Sequence, residues 1–448
     1  MAHTKVGERY SVNIGISKGG NADRKDLVIY NDAAVAEFTL NCVLNRFPTG
    51  RARLVSKAMD TIAPASGTYG TLTFSGIDTS GKDQVMPIYI IKADRKVLSA
   101  SVNAIDIEFE VGYDRTQSVM ENDAFDGSSI EAMNRLFKTA NMEVVDYVTK
   151  GKGPNGVGDS MIWRFVEGTL TEHLDTVVQH CVIPGDIAYW AYDEGLGKVK
   201  IGTFNLSKGS SFKRFLMYTH DAEQATSNAY KDLSGSNTKI WYYSGYSPED
   251  LSGALRADRS PNLFIDSLGP NGEKEVGDCA AECWAAILKT MGANPDYMET
   301  GKYSKQQVVK TFPMNTHKMY AVAPYVRRYM MAEYSKQVIL NIYNHTGPKL
   351  GACMHFYAES PNKREGDFLP DEEYTAKYVV VEKTITKNST TTVGLLGRTV
   401  DTTSSDMVTT IRMVSNTGYS GLLGKEYKEV NELAKAIVRQ LMHGSKEK

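Results

Sequence analysis

Cysteine is scarce. The five residues, Cys42, Cys181, Cys279, Cys283 and Cys353, are scattered along 448 positions and odd in number. That excludes a disulfide scaffold and points to folding under reducing conditions, with all five thiols expected to stay reduced. Long apolar runs are missing too. No window approaches the ~18 uninterrupted apolar residues of a membrane span, so no membrane insertion is expected. The opening MAHTKVGERYSVNIGISKGG lacks an apolar stretch of signal-peptide length, so a cytosolic folding compartment is expected. Excess charge of one sign is absent: 51 basic against 53 acidic residues leave a formal −2. Nothing global advertises nucleic acid or an anionic surface as partner. Disorder is also excluded by composition, since aromatics make up 10% of the chain, with 25 Tyr among them.

Signatures of chemistry are equally sparse. Gly151-Lys-Gly-Pro-Asn-Gly156 fits G-x-G-x-x-G only formally. A phosphate-binding loop needs a strand before it and a helix N-terminus after it, whereas Pro154 interrupts this one and a strand follows. Cys279 and Cys283 lie four apart on a predicted helix, but no further ligand stands near them, so core packing is the favoured reading. His173 and His180 are about two turns apart, roughly 10 Å, too far to share a metal; helix surface is expected for both. His345 and His355 flank a predicted hairpin, where a cross-strand pair is conceivable. Asp371-Glu372-Glu373 could supply paired carboxylates, but in a polar, proline-bearing loop such a run is normally solvated. There is no G-x-S-x-G elbow, Walker motif or HExxH. The expectation is no catalytic residue, no cofactor and no metal.

What the sequence does carry is architecture. Residues 1–115 read as strands: Asp26–Tyr30, Val35–Leu44, Arg51–Ala58, Gly70–Ser75, Gln84–Lys92 and Lys96–Val111. Met86, Ile88 and Ile90 alternate with Val85, Pro87, Tyr89 and Ile91, which predicts a strand buried on both faces. Asn103, Ile105, Ile107 and Phe109 predict one core-facing side of the last strand. The period then changes. Ser128 with Glu131, and Thr169 with Glu172, are capping boxes in which each side chain satisfies an otherwise free backbone N–H. Ile130, Met133, Phe137 and Ala140 follow the first at helical spacing. Leu170, Leu174, Val177, Val178 and Cys181 follow the second. With strands Met161–Val166, Ile187–Tyr192 and Lys198–Phe204, these predict a small α+β domain over 116–235. A second β-rich stretch has strands Lys239–Tyr246, Gln337–Tyr343, Ala352–Ala358, Lys377–Lys387 and Met407–Val414. It is predicted to span 236–416, with an insertion at about 250–335 containing a helix over Cys279–Met291. Asn388–Asp406 reads as a hairpin tip. A helix over Lys425–Met442 ends the chain within a tail of 417–448. Leu423, Tyr427, Val430, Ala434, Ile437 and Leu441 recur there at four-three spacing, which marks a possible protein interface.

The order of these pieces resembles a known family. Asp126-Gly-Ser-Ser-Ile-Glu-Ala-Met-Asn-Arg-Leu-Phe137, Gly158-Asp-Ser-Met-Ile-Trp163 and Ile183-Pro-Gly-Asp-Ile-Ala-Tyr-Trp190 are similar to phrases of the central baseplate hub of contractile phage tails. That family is related to the hub portion of the type VI secretion spike protein. Gln337-Val-Ile-Leu-Asn-Ile-Tyr343, Lys349-Leu-Gly351, Ala376-Lys-Tyr-Val-Val-Val381 and Val408–Val414 look like strands of its second barrel. The likeness covers about 30–205 and 336–416. It implies a mixed α+β, β-rich fold: two tube-like β-barrels flanking a small α+β domain. It further implies a homotrimer that adapts a sixfold tail tube to a threefold central spike, with a channel for DNA and tape-measure protein. The tail tube protein, the central spike protein and baseplate wedge proteins would be partners, in a virion tail assembled in the host cytoplasm. The rival readings are another tail adapter or tube-end protein, a cell-wall or glycan hydrolase, and a surface-binding module.

Overall fold

A computed structural model describes residues 11–17, 27–57, 65–75, 83–99, 102–112, 119–120, 123–147, 160–181, 187–193, 197–204, 213–218, 230–233, 238–243, 245–250, 265–267, 310–312, 327, 334–343, 345–358, 371, 373–388, 390–393, 400–403 and 407–415. The C-terminal interface residues, the helix over Cys279–Met291, both of its cysteines and the glycine loop at 151–158 lie outside them.

The N-terminal half contains β1 (Ser11–Ser17), β2 (Leu27–Tyr30), β3 (Val35–Val43), β4 (Thr49–Lys57), β5 (Tyr69–Ser75), β6 (Gln84–Ser99) and β7 (Val102–Val111). Their order in the sheet is β3-β4-β7-β6-β5-β1-β2, all antiparallel. Alternation drives this. Val12, Ile14, Leu72, Phe74, Ile105, Ile107 and Phe109 are all essentially inaccessible, so each strand turns one apolar face inward. The sheet rolls up. Phe38 on β3 meets Phe74 on β5 at 5.7 Å between ring centroids. Four strand spacings in a flat sheet would hold them about 19 Å apart.

The middle of the chain gives β8 (Val119–Met120), β9 (Asp123–Gly127), α1 (Ser129–Thr139), β10 (Val144–Tyr147), β11 (Met161–Phe165), β12 (Gly168–Thr169), α2 (Leu170–Gln179), β13 (Ala188–Asp193) and β14 (Lys198–Thr203). Both predicted capping boxes form, at Ser128 with Glu131 and at Thr169 with Glu172. Those backbone and hydroxyl hydrogen bonds hold both glutamates below the usual carboxylate range. The apolar faces of α1 and α2 are buried as the spacing predicts.

The C-terminal half adds β15 (Lys213–Tyr218), β16 (Tyr230–Leu233), β17 (Thr238–Tyr243), β18 (Tyr246–Asp250), β19 (Ile265–Ser267), β20 (Lys310–Phe312), β21 (Lys336–Tyr343), β22 (Cys353–Phe356), β23 (Ala376–Asn388), β24 (Thr390–Val393), β25 (Val400–Thr403) and β26 (Met407–Ser415). Setting aside the separate pairs β19–β20 and β24–β25, the order is β18-β21-β26-β23-β22-β15-β17-β16. This half also rolls up: Tyr246 on β18 reaches Phe356 on β22, again four strands away, at 5.4 Å.

The two halves are copies of one design. β3, β4, β7, β6 and β5 correspond in connectivity and order to β18, β21, β26, β23 and β22. The registers coincide as well. The row Ile90–Phe109–Gly50–Leu40 is matched by Val380–Met413–Val338–Pro248. Both copies carry a β-bulge at the same place, with Ile91 and Val381 as the extra residues. Beside each bulge a glycine sits at positive φ, Gly67 at 86° and Gly351 at 71°. Gly67 N–H donates to Ile90 O and Ile90 N–H to Thr68 O, at 2.8 and 2.9 Å; Gly351 N–H donates to Val380 O and Val380 N–H to Ala352 O, at 2.8 and 3.1 Å. The copies diverge at the sixth strand, where β1 is antiparallel to β5 but β15 is parallel to β22.

Several expectations need correction. Lys96–Ser99 belong to β6, not to the next strand. The polar Asp94-Arg95 reads as a break, yet it is the exposed rim of a long strand. Val85 and Ile91 are about half exposed, so β6 is buried on one face only. Lys239–Tyr246 is two strands, β17 and β18, rather than one. β15 and β16, placed by sequence in the α+β segment 116–235, hydrogen-bond into the second half through β17 and β22. Asn388–Asp406 does hold a hairpin, β24 with β25.

Candidate assembly interface

The two halves meet edge to edge. β23 pairs with β26 on one side and, from Glu382 to Asn388, with β3 on the other. One fifteen-stranded sheet therefore runs through both copies. The bulge marks the changeover. N-terminal to it, β23 pairs with β22 of its own half; at it, Val381 O accepts from Leu44 N–H at 3.1 Å, and β3 takes over.

Apolar side chains such as Phe38, Leu40 and Ile385 alternate along this seam with polar ones that find partners. Lys387, 2% exposed, forms an ion pair with Asp32 at 2.6 Å and also donates to Asp32 O at 2.8 Å. Lys383, equally buried, donates to Thr346 O at 3.2 Å. Thr384 Oγ1 donates to Asn41 Oδ1 at 3.1 Å. Two lysines on the inward face of a strand are tolerated because each ammonium finds oxygen partners.

The α+β segment clamps both copies from outside the seam. Asn45, at a positive φ of 62° in the β3–β4 turn, exchanges two hydrogen bonds of 2.9 Å with the backbone of Trp190. Trp190 is packed between Phe47 and Phe137. On the other copy, Tyr189 donates to Gly351 O at 3.2 Å and Lys349 pairs with Asp193 at 2.8 Å. Arg46 pairs with Asp175 of α2 at 2.9 Å. Arg327 donates to Ala188 O at 2.8 Å.

On the outer face of β3, β4, β7 and β6 lies a shallow cleft of about 320 Å³. Charges line it in alternation. Arg53 contacts Asp106 at 2.7 Å and also Glu37; Lys96 contacts Asp106 at 2.6 Å, Arg51 contacts Glu108 at 3.3 Å and Lys92 contacts Asp94 at 2.8 Å. The Arg53 hydrogen bond, reinforced by Lys96, holds the Asp106 carboxyl below its ordinary value. Asp106 thus faces two cations, an arrangement that favours its charged form and not proton transfer.

The other singled-out residues are not brought together. Asp371 Oδ1 accepts from Glu373 N–H at 2.9 Å and its Oδ2 accepts from Tyr246 at 3.3 Å, so it closes a turn. His173 is buried against Phe165 rather than on the helix surface, because Phe165 and α2 share one core, and burial pushes its pKa down. His180 caps α2 with Nδ1 2.8 Å from Thr176 O. His345 accepts from Gly347 N–H at 2.8 Å, while His355 lies across from Lys377, so the two are not a cross-strand pair. Among the described residues no three His, Cys, Asp or Glu side chains group as a metal site, and no helix is long and apolar enough to cross a membrane.

No family model matches the chain, and no curated protein matches it. Solved structures do. The chain is similar to a tail protein from Neisseria meningitidis MC58, at 9% identity and TM-score 0.45, covering 91% of this chain and 97% of that one. A 43 kDa tail protein of prophage MuSo2 from Shewanella oneidensis matches at 10% identity and TM-score 0.43, covering 91% and 98%. A component of the type VI secretion system from E. coli, itself described as similar to T4 bacteriophage tail proteins, matches at 9% and 0.41, covering 86% and 74%. These are likenesses of fold.

Proposed function

We propose that this chain is a structural protein of a phage-type tail: a baseplate hub that assembles as a ring of three. The observation that carries this reading is the internal duplication in register, down to a shared bulge and a shared left-handed glycine. A chain with two equivalent barrel-like copies side by side presents 2n similar units in a ring of n chains. Three chains then offer six units to a sixfold tail tube while keeping threefold symmetry for a central spike. The clamp by the α+β segment supports this, because it fixes the copies relative to each other. In this reading the tube, spike and wedge proteins are the partners, and DNA and tape-measure protein pass through the channel without specific binding. No catalytic role is assigned. The carboxylates of the outer cleft are ion-paired, and Asp371 is engaged in a turn. The protein belongs to the virion tail and assembles in the host cytoplasm. Leu423, Tyr427, Val430, Ala434, Ile437 and Leu441 are proposed as a further contact to a neighbouring chain or baseplate protein.

The test is symmetry. Native mass spectrometry of the assembled form, with particle images, is expected to give three copies per ring. Six or twelve copies per ring would overturn the hub reading.

A further inference from the structure

The duplication has one unequal feature. In the C-terminal copy, the edge of β23 beyond its bulge is covered by β3 of the N-terminal copy. The equivalent edge of β6, beyond the bulge at Ile91, has no described strand on it. Likewise β3 is paired on both sides, whereas its counterpart β18 is paired only with β21 among the described strands. Each half of one interface is therefore present a second time, uncovered by any described strand, and the two lie at opposite ends of the path through the sheet. Exposure follows. Val97 occupies the position equivalent to Lys387; Val97 is 71% exposed, Lys387 2%. Ile91, equivalent to Val381, is 46% exposed.

We infer that the edge of β6 from Lys92 to Val97 binds β18 of a second copy of this chain, repeating the β3–β23 pairing between molecules. Carrying over the register of the internal seam places Val97 opposite Tyr246, Lys96 opposite Ser247, Arg95 opposite Pro248 and Asp94 opposite Glu249 of the second copy. The charges suit this. Lys92, Asp94, Arg95 and Lys96 leave the β6 edge net positive, and Tyr246-Ser-Pro-Glu-Asp250 carries two acids and no base. Glu249 would face Asp94 directly, but it would have Lys92 and Lys96 as diagonal neighbours, within reach of long side chains. Pro248 lacks an N–H and removes one rung, at Arg95. In a free edge such a proline also limits indiscriminate pairing. The contact is head to tail, so it either closes into a ring or propagates.

This inference deepens the hub reading but rests on the repeat alone, and the experiment separates the two. In the internal seam Leu44 N–H points at β23. Alternation from it makes Ser247 and Lys96 a non-hydrogen-bonded pair, the geometry with the closer side chains. The full chain carrying Lys96→Cys and Ser247→Cys, oxidised and run without reductant, is expected to form covalent oligomers stopping at a trimer. Each single variant should give none. A native trimer that fails to cross-link would overturn the edge assignment and leave the hub reading intact. A ladder extending past three would support the edge assignment and overturn the threefold hub. As a second variant, Val97→Pro removes an edge donor on the exposed rim. It is expected to keep the monomer's circular dichroism and to abolish assembly; normal assembly would overturn the proposal.

Discussion

At the scale of single residues, the seam turns on Lys387. Its buried ammonium contacts Asp32 Oδ1 and the Asp32 backbone oxygen, yet Asp32 keeps about a quarter of its side chain in water. Removing the lysine leaves the partly solvated carboxylate with the Val12 N–H, which donates to the same Oδ1 at 2.7 Å, so the loss is smaller than for a fully buried pair. Lys387→Met is expected to lower stability by about 2 kcal/mol in urea denaturation. Adding Asp32→Asn should restore more than half. A double variant no better than the single would mean that the lysine acts through packing and not charge. Little of this was legible. Lys383 and Lys387 share their face of the strand with Ile385, but a lysine on a predicted strand reads as its wet face. Their burial depends on carbonyls contributed by Thr346 and Asp32, far away in sequence. The capping boxes, by contrast, were fully legible, because all their partners lie within four residues.

At the scale of elements, the copies solve one packing problem in two ways. In the N-terminal copy Gly50 faces Phe109, and a Cβ added to Gly50 would fall 2.3 Å from the phenylalanine ring. The equivalent pair is Val338 with Met413. A large residue with none opposite has become two of middle size. Gly50→Val alone is expected to destabilise by about 2–3 kcal/mol through overpacking. Gly50→Val with Phe109→Met should recover the part of the loss that comes from the ring but not the part from the Thr39 backbone oxygen, 2.8 Å from the same Cβ, measured in the same denaturant titration. Additive losses would show that the copies are packed independently of their common design. Strand existence in both halves was legible from period-2 alternation. The missed pieces have physical reasons. β1 alternates (Val12, Ile14, Ile16), but Gly15 in its interior weakens the strand pattern. β17 and β18 run together because the residues between them are few. The exposed rim of β6 looks like a turn because it is polar.

At the scale of the whole molecule, the duplication was legible only as two clusters of strands. Its register, the shared bulge and the joining of the halves through β3 and β23 are non-local. No window of sequence contains both partners. The same fact has a consequence for synthesis. Asn41 and its partner Thr384 are 343 residues apart. At ~5–20 residues per second, the ribosome needs roughly 17–70 s to deliver β23 after β3 has emerged. Throughout that interval the N-terminal copy can roll up on its own core, but one side of β3 stays without its strand. The nascent chain thus carries an open edge until its last strands arrive, and crowding of such chains on one message invites β3 to pair with the wrong partner. The joint that makes two copies into one molecule is thus completed only late in its synthesis.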